Sequence, residues 1–138
     1  MEKLEHIGIA VKNIEQSNAL FAKLLGREHY KVEEVVSEGV RTSFFDLSGV
    51  KIELLEATTP DSAIAKFIEK KGEGVHHLAF EVTNIRESVT EYQKKGFETV
   101  NAGIKKGADN KMICFLHPKT SGGVLIELCE EIKEPSSD

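Results

Sequence analysis

The chain contains an internal repeat, and the repeat duplicates a histidine and a glutamate. Residues 4–17 resemble residues 75–88, and the identical positions share a constant offset. These positions are His6/His77, Val11/Val82, Asn13/Asn84, Ile14/Ile85 and Ser17/Ser88. Residues 50–56 resemble residues 124–130 in the same way, and the duplicated glutamates are Glu53/Glu127 and Glu56/Glu130. Such a repeat predicts two similar structural modules, each supplying one histidine and one glutamate.

Hydrophobic periodicity predicts the element order β-α-β-β-β in each half. Glycines are expected to end the helices, and Ser48-Gly49 is typical of a hairpin turn. The predicted strands cover residues 5–11, 30–36, 40–47, 50–56, 77–82, 97–101, 111–117 and 124–128, and the predicted helices cover residues 14–25, about 64–72 and 85–95.

We therefore predict a single α+β domain of two βαβββ modules related by a pseudo-twofold axis. Their curled sheets are expected to enclose a metal cleft. The first module covers about residues 1–57, a linker with a short helix about 58–72, the second module about 73–131, and a polar, frayed tail 132–138.

The first predicted strand has two different faces. One face carries large apolar side chains and should pack on a helix, whereas the other carries His6, Gly8 and Ala10, as the wall of a cavity would. His77, Glu53 and Glu127 also lie opposite the apolar faces of their strands. His77 is the partner of His6, because His76 coincides with Glu5 instead.

Two imidazoles and two carboxylates brought together suit a divalent ion such as Co²⁺, Ni²⁺, Zn²⁺, Mn²⁺ or Fe²⁺. A lone histidine or glutamate in a strand is more often structural. Duplication at matched positions favours a shared metal site instead, and we predict four ligands: His6, Glu53, His77 and Glu127. On an octahedral ion these ligands would leave two positions for water or substrate.

Composition excludes several other functions. The 138 residues are 40% hydrophobic, which suits one globular domain, and the net charge of -5 argues against nonspecific binding to nucleic acid. We expect no transmembrane helix because no apolar run reaches about 18 residues. The charged N-terminus predicts no signal peptide and a cytoplasmic location. Cys114 and Cys129 are expected to be buried free thiols.

These motifs resemble the vicinal-oxygen-chelate superfamily, also called the glyoxalase fold, and within it the methylmalonyl-CoA epimerases. The resemblance covers about residues 4–130, and its most specific pieces are residues 6–11, 52–55, 74–79 and 115–128. It implies the same four metal ligands, with Co²⁺ as the favoured ion. It also implies a homodimer that acts on a small acyl-CoA thioester.

The implied reaction is a 1,2-proton shift at C2 of methylmalonyl-CoA through a metal-chelated enolate, with the metal as Lewis acid and template. Inversion needs an acid/base group on each side of the enolate. We expect Glu127 to be one of them. Thr42 stands where some relatives have a second glutamate, so either Glu53 or a bound water takes that role, or the reaction differs. Lys119, Ser121 and Thr42 are the expected substrate contacts.

Three other functions fit a protein of this kind. A lactoylglutathione lyase (glyoxalase I) uses the same fold and similar ligands, but the loop at residues 117–123 lacks the Asp-Pro-Asp-Gly-like turn common in those enzymes. A metal-free binding protein generally lacks the full ligand set. An extradiol dioxygenase needs only two histidines and one carboxylate, so the fourth ligand argues against it.

Overall fold

The computed structural model describes residues 3–100 and 103–133 and has the predicted α+β class and element order. The strands are β1 (Lys3–Val11), β2 (Lys31–Val35), β3 (Val40–Leu47), β4 (Val50–Ala57), β5 (Gly74–Glu81), β6 (Lys105–Lys106), β7 (Lys111–Leu116) and β8 (Ile126–Glu131), and the helices are α1 (Ile14–Leu25), α2 (Ala63–Lys71) and α3 (Ile85–Lys94). The chain divides into two compact units. The N-terminal unit is Leu4–Ala79, and the C-terminal unit is Phe80–Asp138 with Met1–Lys3.

The sequence-based module boundaries, at about residues 57 and 73, remain a prediction. Residues 134–138 of the predicted frayed tail lie outside the described part of the chain.

In the N-terminal unit the strands follow the order β2-β3-β4-β1-β5. Strands β2, β3 and β4 are antiparallel, whereas β1 is parallel to β4 and aligns Gly8 with Glu53. The predicted hairpin between β3 and β4 is confirmed. Both of its turn residues have positive φ angles, 53° at Ser48 and 99° at Gly49, as a two-residue hairpin turn requires.

Helices cover both faces of this sheet. The large apolar face of β1 packs on α1, as predicted, with Val11, Phe45 and Leu54 buried against Phe21. On the opposite face Ala10, Leu55 and Val40 pack against Ile64 of α2. Burial of both faces explains why so few positions of β3 and β4 are exposed.

The helix ends follow the predicted signals. Asn13 Oδ1 accepts a hydrogen bond of 3.0 Å from the Gln16 backbone N–H and caps α1. Gly26 ends the same helix in the left-handed conformation, with φ at 70°. Among the described residues, no helix has the length and apolar character needed to span a membrane.

The C-terminal unit repeats this arrangement on a smaller scale. Strands β7 and β8 form an antiparallel pair, and β6 pairs with the other edge of β7. Helix α3 packs on them around a core of Val82, Ile85, Val89, Cys114, Leu116 and Leu128. Cys114 and Cys129 are buried free thiols, as predicted.

The strand predicted at residues 97–101 is wrong over its described residues. Thr99 forms one isolated bridge with Leu116, and the Val100 N–H donates to the Phe115 carbonyl at 2.9 Å. The Val100 carbonyl accepts from the Gly103 N–H, and the φ of Gly103 is 62°. The two-residue strand β6 pairs with a different part of β7, at Met112 and Ile113.

Candidate metal centre

The N-terminal unit brings two of the predicted ligands together. The Nε2 atoms of His6 on β1 and His77 on β5 lie 3.0 Å apart, with the imidazole rings nearly perpendicular at 84°. Both side chains are buried, with 4% and 5% of their surface exposed. The offset repeat therefore corresponds to a contact between two inward-facing imidazoles.

Gly8 makes the close approach of His77 possible. A Cβ atom at position 8 would lie only 2.7 Å from His77 Nε2 and would overlap other atoms of the ring. The glycine is thus required for space: the His77 ring occupies the volume that any other side chain would fill. The small-residue face predicted for β1 therefore leaves room for the His77 ring.

Two carboxylates approach the other edge of the His6 ring. Glu5 Oε1 lies 2.7 Å and Glu53 Oε2 lies 3.0 Å from His6 Nδ1. The second oxygen of Glu5 accepts a hydrogen bond of 2.8 Å from Lys51 Nζ. Both glutamates are buried, so this edge of the ring is enclosed by acceptors.

Glu5 is ionised in this environment. Burial alone would raise the pKa of its carboxyl group, but hydrogen bonds from His6 and Lys51 outweigh burial and lower the pKa to about 2. A carboxylate can only accept hydrogen bonds, so it favours a proton on His6 Nδ1.

His77 has a comparable neighbour on its Nδ1 edge. His76 Nδ1 lies 2.9 Å from His77 Nδ1, and the His76 ring stands edge-on to Phe67 at 5.0 Å between centroids. Burial, with smaller contributions from His6 and His76, holds the pKa of His77 well below its usual value. Burial, with Lys71, lowers the pKa of His76 to about 4. Both rings are therefore neutral at physiological pH.

The two imidazoles fit a metal ion. Metal–nitrogen bonds of about 2.1 Å that meet at about 90° separate their nitrogens by about 3.0 Å. His6 and His77 show this separation. Two Nε2 atoms at that distance need either one shared proton or a cation that both lone pairs can bind. Metal binding requires neutral imidazole, and the lowered pKa of His77 keeps it in that form.

The two predicted glutamate ligands lie in different units. Glu53 is on β4 of the N-terminal unit, and its Oε2 lies beside His6 Nδ1. Glu127 is on β8 of the C-terminal unit, opposite Phe115 in the register, and only 5% of it is exposed.

Thr42 shares the sheet face of Glu53. It lies on β3 opposite Leu55, while Phe44 lies opposite Glu53, and directly paired residues of antiparallel strands share a face. On its other side Thr42 is paired with Glu33 of β2. Thr42 is itself buried, so its hydroxyl faces the packed side of the sheet.

Lys119 and Ser121 lie in the turn between β7 and β8 in the C-terminal unit. The exposed Lys119 ammonium lies 3.2 Å from Glu98 Oε2. Ser121 Oγ lies 2.6 Å from the Val124 carbonyl oxygen, to which it donates, so its hydroxyl proton is used within the turn. The imidazole of His117 accepts a hydrogen bond from the Lys119 backbone N–H and begins the short helix Pro118–Thr120.

Sequence reasoning missed three residues of the centre: Gly8, Glu5 and His76. Gly8 was recognised as small but not as the position over which His77 packs. Glu5 and His76 each precede a predicted ligand and coincide in the repeat. Their alignment was the available signal, but they are chemically different and were not recognised as a pair.

Comparison with known proteins identifies the family to which the chain is similar. The family model described as the glyoxalase/bleomycin resistance protein/dioxygenase superfamily matches residues 5–115. The chain is 39% identical to the mitochondrial methylmalonyl-CoA epimerase of Homo sapiens, over 91% of this chain and 72% of the relative. It is 36% identical to an ethylmalonyl-CoA/methylmalonyl-CoA epimerase of Cereibacter sphaeroides, over 91% and 96% of the two chains.

A solved structure gives the same result. The protein is similar to a methylmalonyl-CoA epimerase in complex with methylmalonyl-CoA and NH₄⁺, with a TM-score of 0.88 and 31% identity. The match covers 98% of this chain and 99% of that one.

Proposed function

The chain belongs to the glyoxalase/bleomycin resistance protein/dioxygenase superfamily, and within it we propose that the protein is an isomerase that epimerises methylmalonyl-CoA at C2. The observation that carries the proposal is the similarity to epimerases over nearly the whole chain, including one solved with methylmalonyl-CoA. The buried pair of imidazoles supports it, because the resemblance assigns the metal to those residues.

The ligands in this proposal are His6, Glu53, His77 and Glu127. The separation of the two Nε2 atoms supports the histidines, and duplication in the sequence repeat supports both glutamates. A divalent ion held there, with Co²⁺ as first choice, supplies Lewis-acid stabilisation for the negative charge that develops on substrate oxygen.

We propose that Glu53 turns its carboxylate towards the Nε2 side of His6 to serve as a ligand. Its Oε2 now lies 3.0 Å from His6 Nδ1, but Glu5 already accepts from that nitrogen at the shorter distance of 2.7 Å. The imidazole has one proton at Nδ1, so Glu5 can satisfy it alone.

Proton transfer is assigned to two carboxylates. Glu127 takes the proton from C2, and the electron pair of the broken C–H bond is delocalised onto the thioester carbonyl. A proton returned to the opposite face forms the new C–H bond and inverts the centre. Glu53 is the proposed second group, directly or through a bound water, because the Thr42 hydroxyl is a poor base at neutral pH.

The rest of the substrate requires contacts away from C2. Lys119 is proposed to bind a phosphate of the CoA moiety, because its exposed ammonium lies in a weak surface ion pair with Glu98. Ser121 and Thr42 remain secondary proposals, and Ser121 can offer an oxygen lone pair while its proton is used in the turn. The proposed assembly is a homodimer, on resemblance alone.

Isotope exchange tests this function. Protein loaded with Co²⁺ and incubated with methylmalonyl-CoA in D₂O is expected to incorporate deuterium at C2 and to interconvert the two epimers. Glu127→Gln should lower the exchange rate by at least about 100-fold, within the range that general acid–base catalysis contributes. Glu53→Gln is compared with Glu33→Gln, a carboxylate change on the same sheet face.

Three results would revise the proposal. Turnover of the hemithioacetal of methylglyoxal and glutathione, without deuterium exchange into methylmalonyl-CoA, would make the protein a lactoylglutathione lyase. Exchange that survives Glu127→Gln would remove that residue from the mechanism. A larger loss from Glu33→Gln than from Glu53→Gln would move the second proton-transfer role to β2.

A further inference from the structure

Each proposed histidine ligand is contacted at Nδ1 by the side chain that precedes it in sequence. Glu5 Oε1 lies 2.7 Å from His6 Nδ1, and His76 Nδ1 lies 2.9 Å from His77 Nδ1. Glu5 and His76 occupy the same position of the internal repeat. The contact is therefore made twice, by two chemically different side chains.

Such contacts are unusual in strands. Successive side chains point to opposite faces of a sheet, so neighbours in sequence do not normally meet. Both Glu5 and His76 turn back to the ligand beside them; Glu5 is buried and His76 is half-buried. Lys51 Nζ anchors Glu5 through its other oxygen at 2.8 Å, and the His76 ring rests edge-on against Phe67. Glu5 and His76 are thus each held by a second contact besides the one with the ligand histidine.

We infer that Glu5 and His76 are positioning residues that hold the single proton of each ligand imidazole on Nδ1, so that both Nε2 lone pairs face the metal. The inference rests on the metal centre of the proposed function. In a neutral imidazole, the partner of one nitrogen decides which nitrogen is left to bind a metal. Glu5 can only accept, so His6 Nδ1 donates to it.

The hydrogen bonds accepted by Glu5 and His76 differ in strength. Glu5 is a charged acceptor, and hydrogen bonds to charged groups are stronger than those between neutral groups. His76 is a neutral acceptor whose own proton then lies on Nε2. Loss of Glu5 also leaves Glu53 as the carboxylate at His6 Nδ1, which holds Glu53 away from the metal. The Glu5 position is therefore the more sensitive of the two.

Metal affinity of the chelator-treated protein tests the inference without using turnover. Glu5→Leu is expected to weaken Co²⁺ binding by about 100-fold and His76→Leu by about 10-fold, the range found for residues behind metal ligands. Glu5→Gln keeps an acceptor oxygen and should recover part of the affinity. Glu56→Gln, a half-buried carboxylate that binds the Ile14 N–H instead of a histidine, is the matched control and should bind as the wild type does.

Nitrogen-15 NMR of the histidine rings in the Zn²⁺-loaded protein gives a second test, because it reports which ring nitrogen carries the proton. A merely structural role for Glu5 or His76 would leave this signal unchanged. The wild type should show slowly exchanging Nδ1 protons on His6 and His77. Glu5→Leu should speed the exchange of the Nδ1 proton at His6 only, and His76→Leu should do so at His77 only. Wild-type Co²⁺ affinity in both leucine variants, or protonated Nε2 on either ligand in the Zn²⁺-loaded protein, would overturn the inference alone. A wild type that binds neither ion would overturn the metal centre as well.

Discussion

The two units use the same framework with different buried pairs. In the N-terminal unit Ser43 of β3 lies opposite Leu54 and donates a hydrogen bond of 2.5 Å to Asn18 of α1. In the C-terminal unit Cys114 of β7 lies opposite Leu128. Cys114 and Leu128 share one apolar cluster with Val89 of α3, the residue that the repeat aligns with Asn18.

The difference shows what the repeat preserves. Register and packing recur, whereas a polar pair in one unit is an apolar pair in the other. Identical residues therefore need a reason. Asn13 and Asn84 both cap helices, and Glu56 and Glu130 both accept from the first N–H of a helix.

These helix contacts account for part of the identity between the repeats, but they do not involve the duplicated histidines. The contact between His6 and His77 gives their identity a different reason, since two Nε2 atoms 3.0 Å apart suit a shared cation.

The largest expected effect comes from making the first repeat more like the second. Gly8 coincides with Ala79 in the repeat, yet Gly8→Ala would force the His77 ring off β1. We expect at least about a 100-fold loss of isomerase activity, because a displacement near 1 Å can cost that much. Steady-state kinetics on metal-saturated protein measures this. Ala79→Gly is the matched control and should retain activity. In a His77→Ala background, Gly8→Ala should cost no further stability; an additional loss would refute the steric explanation.

The next largest effect is expected when the residue of one buried pair is replaced by its counterpart from the other unit. Cys114→Ser introduces a buried hydroxyl beside Val89, which cannot accept a hydrogen bond as Asn18 does in the N-terminal unit. An unsatisfied buried hydroxyl lowers the free energy of unfolding by about 1–3 kcal/mol. Ser43→Cys removes the donor to Asn18 and should cost about 1 kcal/mol. Urea unfolding of both variants gives the values. The double variant Cys114→Ser with Val89→Asn should recover part of the loss, and no recovery would contradict the pairing.

The helix caps should behave alike in both units. Asn13→Ala and Asn84→Ala should each lower the free energy of unfolding by about 1 kcal/mol, because each removes the acceptor for one backbone N–H at a helix start. Asn→Asp at either position keeps the acceptor and is the control. Activity per folded molecule should remain at the wild-type level, and a specific loss of activity would show that the repeated asparagines do more than cap helices.

The smallest expected effect is a pH dependence confined to the C-terminal unit. Burial raises the pKa of the Cys114 thiol above its usual value, with Lys105 acting in the opposite direction. The unfolded chain therefore loses its thiol proton first, so the stabilisation is complete below pH 9 and declines as pH rises beyond it. Chemical unfolding from pH 8 to pH 10.5 should show a steeper decline for the wild type than for Cys114→Val. Parallel declines would disprove the assignment.

Most of the fold follows from local patterns that the sequence contains. Alternation and 3.6-residue periodicity are properties of neighbouring residues, and they predicted β1, α1 and the hairpin at Ser48-Gly49 correctly. The strand predicted at residues 97–101 was wrong, because a strand continues only while its partner supplies hydrogen bonds. The turn at Gly103 withdraws the Val100 carbonyl from that partner.

By itself, the sequence determined which histidines and glutamates are duplicated, and hence which residues to propose as metal ligands. Only the tertiary structure decided that the His77 ring packs over Gly8. It also decided that Glu5 and His76 turn back to the ligand histidines, and that Glu53 approaches His6 from the Nδ1 edge. The reason is physical: periodicity fixes the face on which a side chain lies, but the neighbouring strand and its available space fix where the side chain ends.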